Sequence, residues 1–293
     1  IVYFFVVKNS GERIMTGNNF FWRKIFHTRV FRGIKSAYYL IRTDQYDMFR
    51  IFFLRKIARI IMLKYRFKWP QMMWWDNDGF NKILSVFDEL DSLNTDRRWM
   101  LSQLVRLTDS VHGDTVECGV YRGLGTYIIF KINSSCTLKR THHVFDSFSG
   151  VSCPADVDGK HWAKGDLSYE EDLVRKNLAD FSNIIFYKGW IPDKFQKISD
   201  RKFSFVHIDV DLFQPTKESL EFFYPRLNEG GIILCDDYGF TTCPGATKAC
   251  DDFLVDKPEK MLAMSGGGGF FIKGVPTSVG WNKYDYGDRK SVV

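Results

Sequence analysis

The sequence predicts an α/β fold: a mostly parallel seven-stranded sheet with helices on both faces, an antiparallel C-terminal strand, and a helical N-terminal extension. Three observations carry this expectation. From Gly113 onward, short β-rich runs alternate with stretches of helical period, the pattern of parallel strands joined by crossover helices. The last two β-rich runs are separated only by the glycines at 266–269, so they pair as an antiparallel edge. Before Gly113 the chain reads as helix alone.

Taken in order, 48–69 mixes Phe, Ile, Leu and Met with regularly spaced Arg and Lys, a basic amphipathic helix that Pro70 closes. Helices follow at 79–90 and 95–111, the second with Asn94 placed as N-cap. Strands are expected at 115–119, 142–146, 183–187, 203–209, 231–235, 260–264 and 270–273. Helices are expected at 126–133, 169–179, 216–227 with Thr216 as N-cap, and 245–255, with a short one at 193–198. The organisation is then a basic, aromatic-rich helical extension over 1–76 and an α/β domain over 77–293.

Composition narrows the class. The 293 residues are 45% hydrophobic and 16% aromatic, which suits a globular core and excludes a disordered chain. Residues 1–76 hold 15 Lys/Arg against 4 Asp/Glu, a net of +11, whereas the remainder has a net of −5. The arm therefore suits an anionic membrane surface or an acidic partner, or it is simply a solvated extension. Nucleic acid is not an expected partner, because acidic groups gather in the α/β part and would repel phosphate. No apolar run approaches the roughly 20 residues of a membrane span. The chain begins at Ile rather than Met, which leaves room for a preceding signal or anchor. No two of the six cysteines form a C-x-x-C pair, so a zinc site is not expected. Cysteines within apolar runs point to a reducing compartment, hence a cytoplasmic location, membrane-peripheral if the arm binds lipid.

Chemistry concentrates at the strand ends. The first strand runs into Glu117-Cys118-Gly119-Val120-Tyr121-Arg122-Gly123-Leu124-Gly125. Glycines there let the backbone turn tightly beneath a ligand at a helix N-terminus. Asp146 ends the second strand, where an acid bonds ribose hydroxyls. The turn lacks the third glycine of a dinucleotide site, and Glu117 would repel a pyrophosphate. An acid suits a ligand with a cationic end, and S-adenosylmethionine carries an ammonium and a sulfonium. This argues against an NAD-dependent sugar-modifying enzyme. The fourth and fifth strands end in His207-Ile208-Asp209-Val210-Asp211 and Cys235-Asp236-Asp237-Tyr238-Gly239. Single aspartates at such places are often helix caps. Three on neighbouring strand ends point to a hard cation with oxygen ligands, such as Mg²⁺. His207, inside its strand, reads as a packed core histidine.

These motifs resemble the macrocin O-methyltransferase family. The likeness spans about 98–273 and rests on 117–123, Phe145-Asp146-Ser147-Phe148, 207–211, Tyr224-Pro225-Arg226-Leu227 and Asp236-Asp237-Tyr238-Gly239 with Cys243-Pro244-Gly245-Ala246. The chain departs from it at Ser149-Gly150-Val151-Ser152, where the family often has Glu-Gly-Leu-Pro. The resemblance implies a Rossmann-like class I fold and an enzyme dependent on S-adenosylmethionine and Mg²⁺ that methylates sugar hydroxyls. It implies Asp209, Asp236 and Asp237 as metal ligands. It also implies a cofactor pocket of Glu117, Gly119, Tyr121, Gly123, Asp146 and Ser147, with Asp209 beside it and Gly189 and Trp190 flanking the adenine. Candidates for the base are Asp209, Asp211 and His161, the last within a lid expected over 153–166. The acceptor is a small molecule or glycan, and the region before the domain is where family members make oligomer contacts. A scaffold that kept the fold and lost the chemistry is the non-enzymatic alternative.

Overall fold

The computed structural model describes residues 72–179 and 181–278, together with isolated positions between 50 and 61. The chain divides after Met72, and the unit from Met73 onward carries the fold. The basic extension expected over 1–76, with its membrane and oligomer contacts, lies almost wholly outside the described residues. The described positions within the amphipathic stretch 48–69 are helical.

Seven strands form one sheet in the order β3-β2-β1-β4-β5-β7-β6. They are β1 (Asp114–Cys118), β2 (His142–Asp146), β3 (Ile184–Lys188), β4 (Phe203–Ile208), β5 (Leu227–Cys235), β6 (Leu262–Ala263) and β7 (Gly269–Ile272). The pairs β1–β2, β2–β3, β1–β4 and β4–β5 are parallel. Strand β7 inserts between β5 and β6 and runs antiparallel to both. Helices α1 (Asp78–Val86), α2 (Thr95–Leu107), α3 (Leu124–Asn133), α4 (Glu171–Asn177), α5 (Phe213–Phe223) and α6 (Pro244–Phe253) complete the layers.

The central strands are apolar on both faces, as a doubly covered parallel sheet requires. One core holds Val116, Phe145, Phe203, Val206 and Ile208 with Phe223 of α5 and Ala246 of α6. The other holds Val144, Phe205, Ile232 and Leu234 with Leu84 of α1, Leu101 and Val105 of α2, and Ile129 of α3. The order reverses between β1 and β4, and ligands of open α/β sheets bind outside the carboxyl ends at such a switch point. No helix among the described residues is long and apolar enough to cross a membrane.

Two local expectations need correction. The helix placed at 216–227 begins at Phe213, with Leu212 as N-cap, and Thr216 lies inside it, donating its hydroxyl proton to the Leu212 carbonyl at 2.7 Å. Pro215 falls in the first turn, where its missing N–H has no helical partner to lose. Asn94 does cap α2 by position, but its side chain makes no capping hydrogen bond.

Candidate active site

The glycine turn after β1 is built around a close approach. At Gly119, φ is 84°, and a Cβ there would overlap the carbonyl oxygen of Asp209 at the end of β4. The two strand ends meet backbone to backbone, with Asp209 N donating to Cys118 O at 2.9 Å. Gly123, also left-handed, opens α3. Asp146 ties this turn to β2: its carboxylate accepts from Val120 N at 2.7 Å and Phe148 N at 2.6 Å. Each oxygen keeps lone-pair capacity for a ligand. Burial pushes the Asp146 carboxyl above its ordinary range despite these bonds.

The other expected cofactor residues border this turn. Tyr121 stands at φ 49° with its ring 5.7 Å from Tyr169. Ser147 Oγ accepts from Ser149 N at 3.0 Å and shapes the next turn. Gly189 N donates to Asp146 O at 3.0 Å, which brings the β3 end into line, and Trp190 beyond it is exposed.

Glu117 is different. Its side chain is buried beneath the turn, where Thr126 of α3 donates to it and His207 Nδ1 lies 2.9 Å away. His142 Nε2 stands at 3.9 Å. Burial alone would raise the Glu117 carboxyl, but the two histidines outweigh it and hold it at about 2. His207 is the counterpart: burial would lower it, yet Asp236 and Glu117 push it up to about 9. Glu117 makes the hydrogen bond, whereas Asp236, 3.8 Å from Nε2, acts by charge. The histidine expected in the core is fully buried there, and it also lies between two carboxylates that raise its proton affinity.

Four aspartates stand at the ends of β4 and β5, and they fall into two halves. Asp236 is surrounded by cations: Arg97 is bonded to it, Arg98 Nη1 is 4.0 Å away, and His207 completes the ring. Despite burial, Arg97 and these neighbours hold Asp236 well below the usual carboxylate range. Asp209 lies 3.4 Å from Arg98 Nη1, and burial together with Asp236 raises its carboxyl. Asp209 and Asp236 come within 4.8 Å of each other and of His207.

The second half is Asp237, Asp211 and Cys243, also mutually within 4.8 Å. Asp237 accepts from Val210 N at 3.1 Å and Asp211 N at 2.7 Å. Neither acid has an ion pair among the described residues. Burial and then the Asp209 charge push Asp211 up to about 7, and burial with Asp211 pushes Asp237 well above its ordinary value. The three expected ligands thus straddle the two halves. Their oxygens suit a hard cation, and the uncompensated charge of Asp211 and Asp237 is what a divalent ion would relieve. The carboxylate oxygens present fit a hard cation such as Mg²⁺ in kind, although Asp209 and Asp236 fall in one cluster and Asp237 in the other.

The segment over 153–166 is pinned to the site. Asp158 accepts from Phe213 N at 2.6 Å, at the start of α5, and its carboxylate fills the space a Cβ on Gly245 would need. Trp162 Nε1 donates to Cys243 Sγ at 3.4 Å, so the segment reaches the second carboxylate half. His161 is exposed, and its ring meets Trp162 edge-on at 4.7 Å. Among the described residues it has no contact with the carboxylates. Tyr238 donates to Asp251 Oδ1 at 2.9 Å, away from the acids.

The sequence reading missed Arg97 and Arg98. One signal was present: Arg98 lies three residues before Leu101 and seven before Val105, on the face of α2 that turns inward.

Comparison with known proteins finds relatives over about half of the chain. Residues 98–261 match the profile of the macrocin-O-methyltransferase (TylF) family. The 8-demethyl-8-(2,3-dimethoxy-α-L-rhamnosyl)-tetracenomycin-C 4'-O-methyltransferase of Streptomyces olivaceus is 32% identical over 48% of this chain and 58% of its own length. The demethyldecarbamoylnovobiocin O-methyltransferase of Streptomyces niveus is 29% identical over 50% of this chain and 59% of its own length. The chain thus spans somewhat over half the length of these relatives. The solved structure of the O-methyltransferase NovP superposes with a TM-score of 0.51 at 25% identity, over 61% of this chain and 80% of that one. The fold is that of the Rossmann-like methyltransferases, and the chain belongs to the macrocin-O-methyltransferase family.

Proposed function

We propose that this chain is an S-adenosylmethionine-dependent O-methyltransferase that uses Mg²⁺ and acts on a sugar hydroxyl of a small molecule or glycan. The observation that carries the reading is the shared edge. The Gly119–Asp146 turn and the carboxylates of Asp209, Asp236 and Asp237 meet at one switch point, with Asp209 touching Gly119. The sugar acceptor is inferred from relatives, one of whose names specifies a rhamnosyl-bearing compound.

Bound S-adenosylmethionine supplies an electrophilic methyl group, and bound Mg²⁺ supplies positive charge for an acceptor oxygen. The protein supplies placement. Gly119, Gly123 and Asp146 would cradle the cofactor, with Tyr121, Ser147, Gly189 and Trp190 around it. In-line displacement gains most from such fixed geometry. The acceptor hydroxyl would have to give up its proton as its oxygen is methylated, so a base of this chain is needed. Asp209 is the base we assign, because its raised proton affinity and its place beside Gly119 suit the task. Asp211, near 7, is the second candidate. His161, the third candidate, is exposed beside Trp162, whose indole bonds Cys243. The six cysteines are all free, which fits work in a reducing compartment.

The test is transfer of labelled methyl from S-adenosylmethionine to a panel of glycosylated acceptors, with Mg²⁺ and with EDTA. Transfer that stops in EDTA supports the reading. Transfer unaffected by EDTA removes the metal, and S-adenosylmethionine binding with no transfer to any glycoside favours a non-sugar acceptor.

A further inference from the structure

We propose that Arg97 is an internal counter-cation of the acidic strand ends, which an incoming divalent cation displaces from Asp236. The inference rests on the metal reading above and adds to it a residue that sets the affinity of the site.

Asp236 has three cationic neighbours, and they differ in freedom. His207 is fully buried and held by Glu117. Arg98 is fixed at its other end, with Nε 3.2 Å from Glu89 Oε2, and its side chain is only 8% exposed. Arg97 reaches Asp236 through one nitrogen, Nη1, which bonds the carboxylate and also the Asp236 carbonyl at 3.1 Å. Its side chain is 18% exposed, and no other acid among the described residues forms an ion pair with it. Of the three cations, Arg97 alone pairs with no acid but Asp236 among the described residues and also has a way out.

It also rests on a ring that does not depend on Asp236. The guanidinium carbon sits 4.8 Å from the centre of the Phe240 ring. That ring is held against Gly267, where a Cβ would overlap it. Released from Asp236, Arg97 keeps a cation–π contact. A divalent ion beside Asp236 meets the repulsion of a guanidinium bonded to the same carboxylate. Exchange removes that repulsion and leaves the metal beside Asp236 with Arg98 and His207 only, three cations rather than four.

The test titrates MgCl₂ alone, at fixed ionic strength, into the full chain by calorimetry. Removing one adjacent positive charge in Arg97→Gln is expected to tighten Mg²⁺ binding by about tenfold. Arg97→Lys, which keeps the charge, stays near the wild type. Phe240→Leu removes a ring that Arg97 already touches in its Asp236-bound position, so it acts on both states and leaves Mg²⁺ binding near the wild type. In EDTA, Arg97→Gln melts below the wild type, and saturating Mg²⁺ closes that gap. Equal or weaker Mg²⁺ binding by Arg97→Gln, with Mg²⁺ bound by the wild type, overturns the inference and leaves the metal reading standing. Should Arg97→Gln fail to fold, Arg97→Met takes its place, and equal or weaker Mg²⁺ binding by that variant overturns the inference in the same way. Absence of Mg²⁺ binding in every variant sinks the metal reading and this inference with it.

Discussion

Glu117→Gln removes the charge opposite a fully buried imidazolium. His207 has no solvent exposure, its Nδ1 is bonded to Glu117 at 2.9 Å, and its Nε2 has no hydrogen-bond partner. In the variant the imidazolium keeps only Asp236, at 3.8 Å and already shared with two arginines. Removing one member of a buried ion pair typically costs about 3–5 kcal/mol, because the remaining charge stays out of water. At a urea m-value of about 2 kcal/mol/M, a loss of about 3 kcal/mol moves the midpoint down by about 1.5 M. Urea denaturation at pH 7, followed by circular dichroism, measures this directly. The control is Glu117→Gln with His207→Gln, which removes the stranded charge as well. We expect the double variant to be more stable than Glu117→Gln alone, a coupling that independent sites do not show. A midpoint shift below about 0.5 M at that m-value, or strictly additive losses, would refute the assignment of His207 as a charged strut between β1 and β5.

Other consequences follow from the same contacts. Gly119→Ala places a Cβ against the Asp209 carbonyl at a left-handed φ, so S-adenosylmethionine binding should weaken by about tenfold or more; an unchanged Kd in calorimetry contradicts the close approach. Arg140 is buried, and its Nη2 caps the carbonyls of Thr108, Asp109 and Val111 at 2.5, 3.2 and 2.8 Å. Arg140→Met leaves these carbonyls short of a donor and should lower unfolding free energy by about 2–3 kcal/mol, visible as a lower thermal midpoint. Asp114 bonds His143 Nε2 at 3.1 Å; burial would raise its carboxyl, but this bond and its neighbours bring it below the ordinary 3.8. Its stabilisation is therefore present above pH 3.8 and is lost as the pH falls through the lower folded value. Asp114→Asn should be less stable than the wild type at pH 6, with the difference vanishing at strongly acidic pH; a pH-independent difference contradicts this.

Much of the fold was readable because the core strands are apolar and short. The bounds of β2 agree with those read from its apolar run ending in Asp146. Strand β5 starts four residues earlier than expected, at Leu227, and runs through Gly230 into the stretch at 231–235. The start of α5 was misplaced because Thr216 was read as the N-cap, whereas the helix begins at Phe213 and its first turn tolerates Pro215. The aspartates were legible because an apolar strand that ends in charge declares itself. Their cations were not: Arg97 lies 139 residues from Asp236, and Arg98 lies 111 from Asp209. An arginine on a helix looks solvated until the sheet beneath it is known. His207 was read as packing for the same reason, since its role depends on register with Glu117 across β1 and β4. The pairing of Trp162 with Cys243 likewise joins distant segments and leaves no local pattern.

The most direct measurement is a calorimetric titration of S-adenosylmethionine into the protein, with and without Mg²⁺, beside an Asp236→Asn, Asp237→Asn double variant. The account predicts that the intact chain binds the cofactor and responds to Mg²⁺, and that the variant loses the Mg²⁺ response. Failure of the intact chain to bind S-adenosylmethionine or its demethylated product under any condition would contradict it.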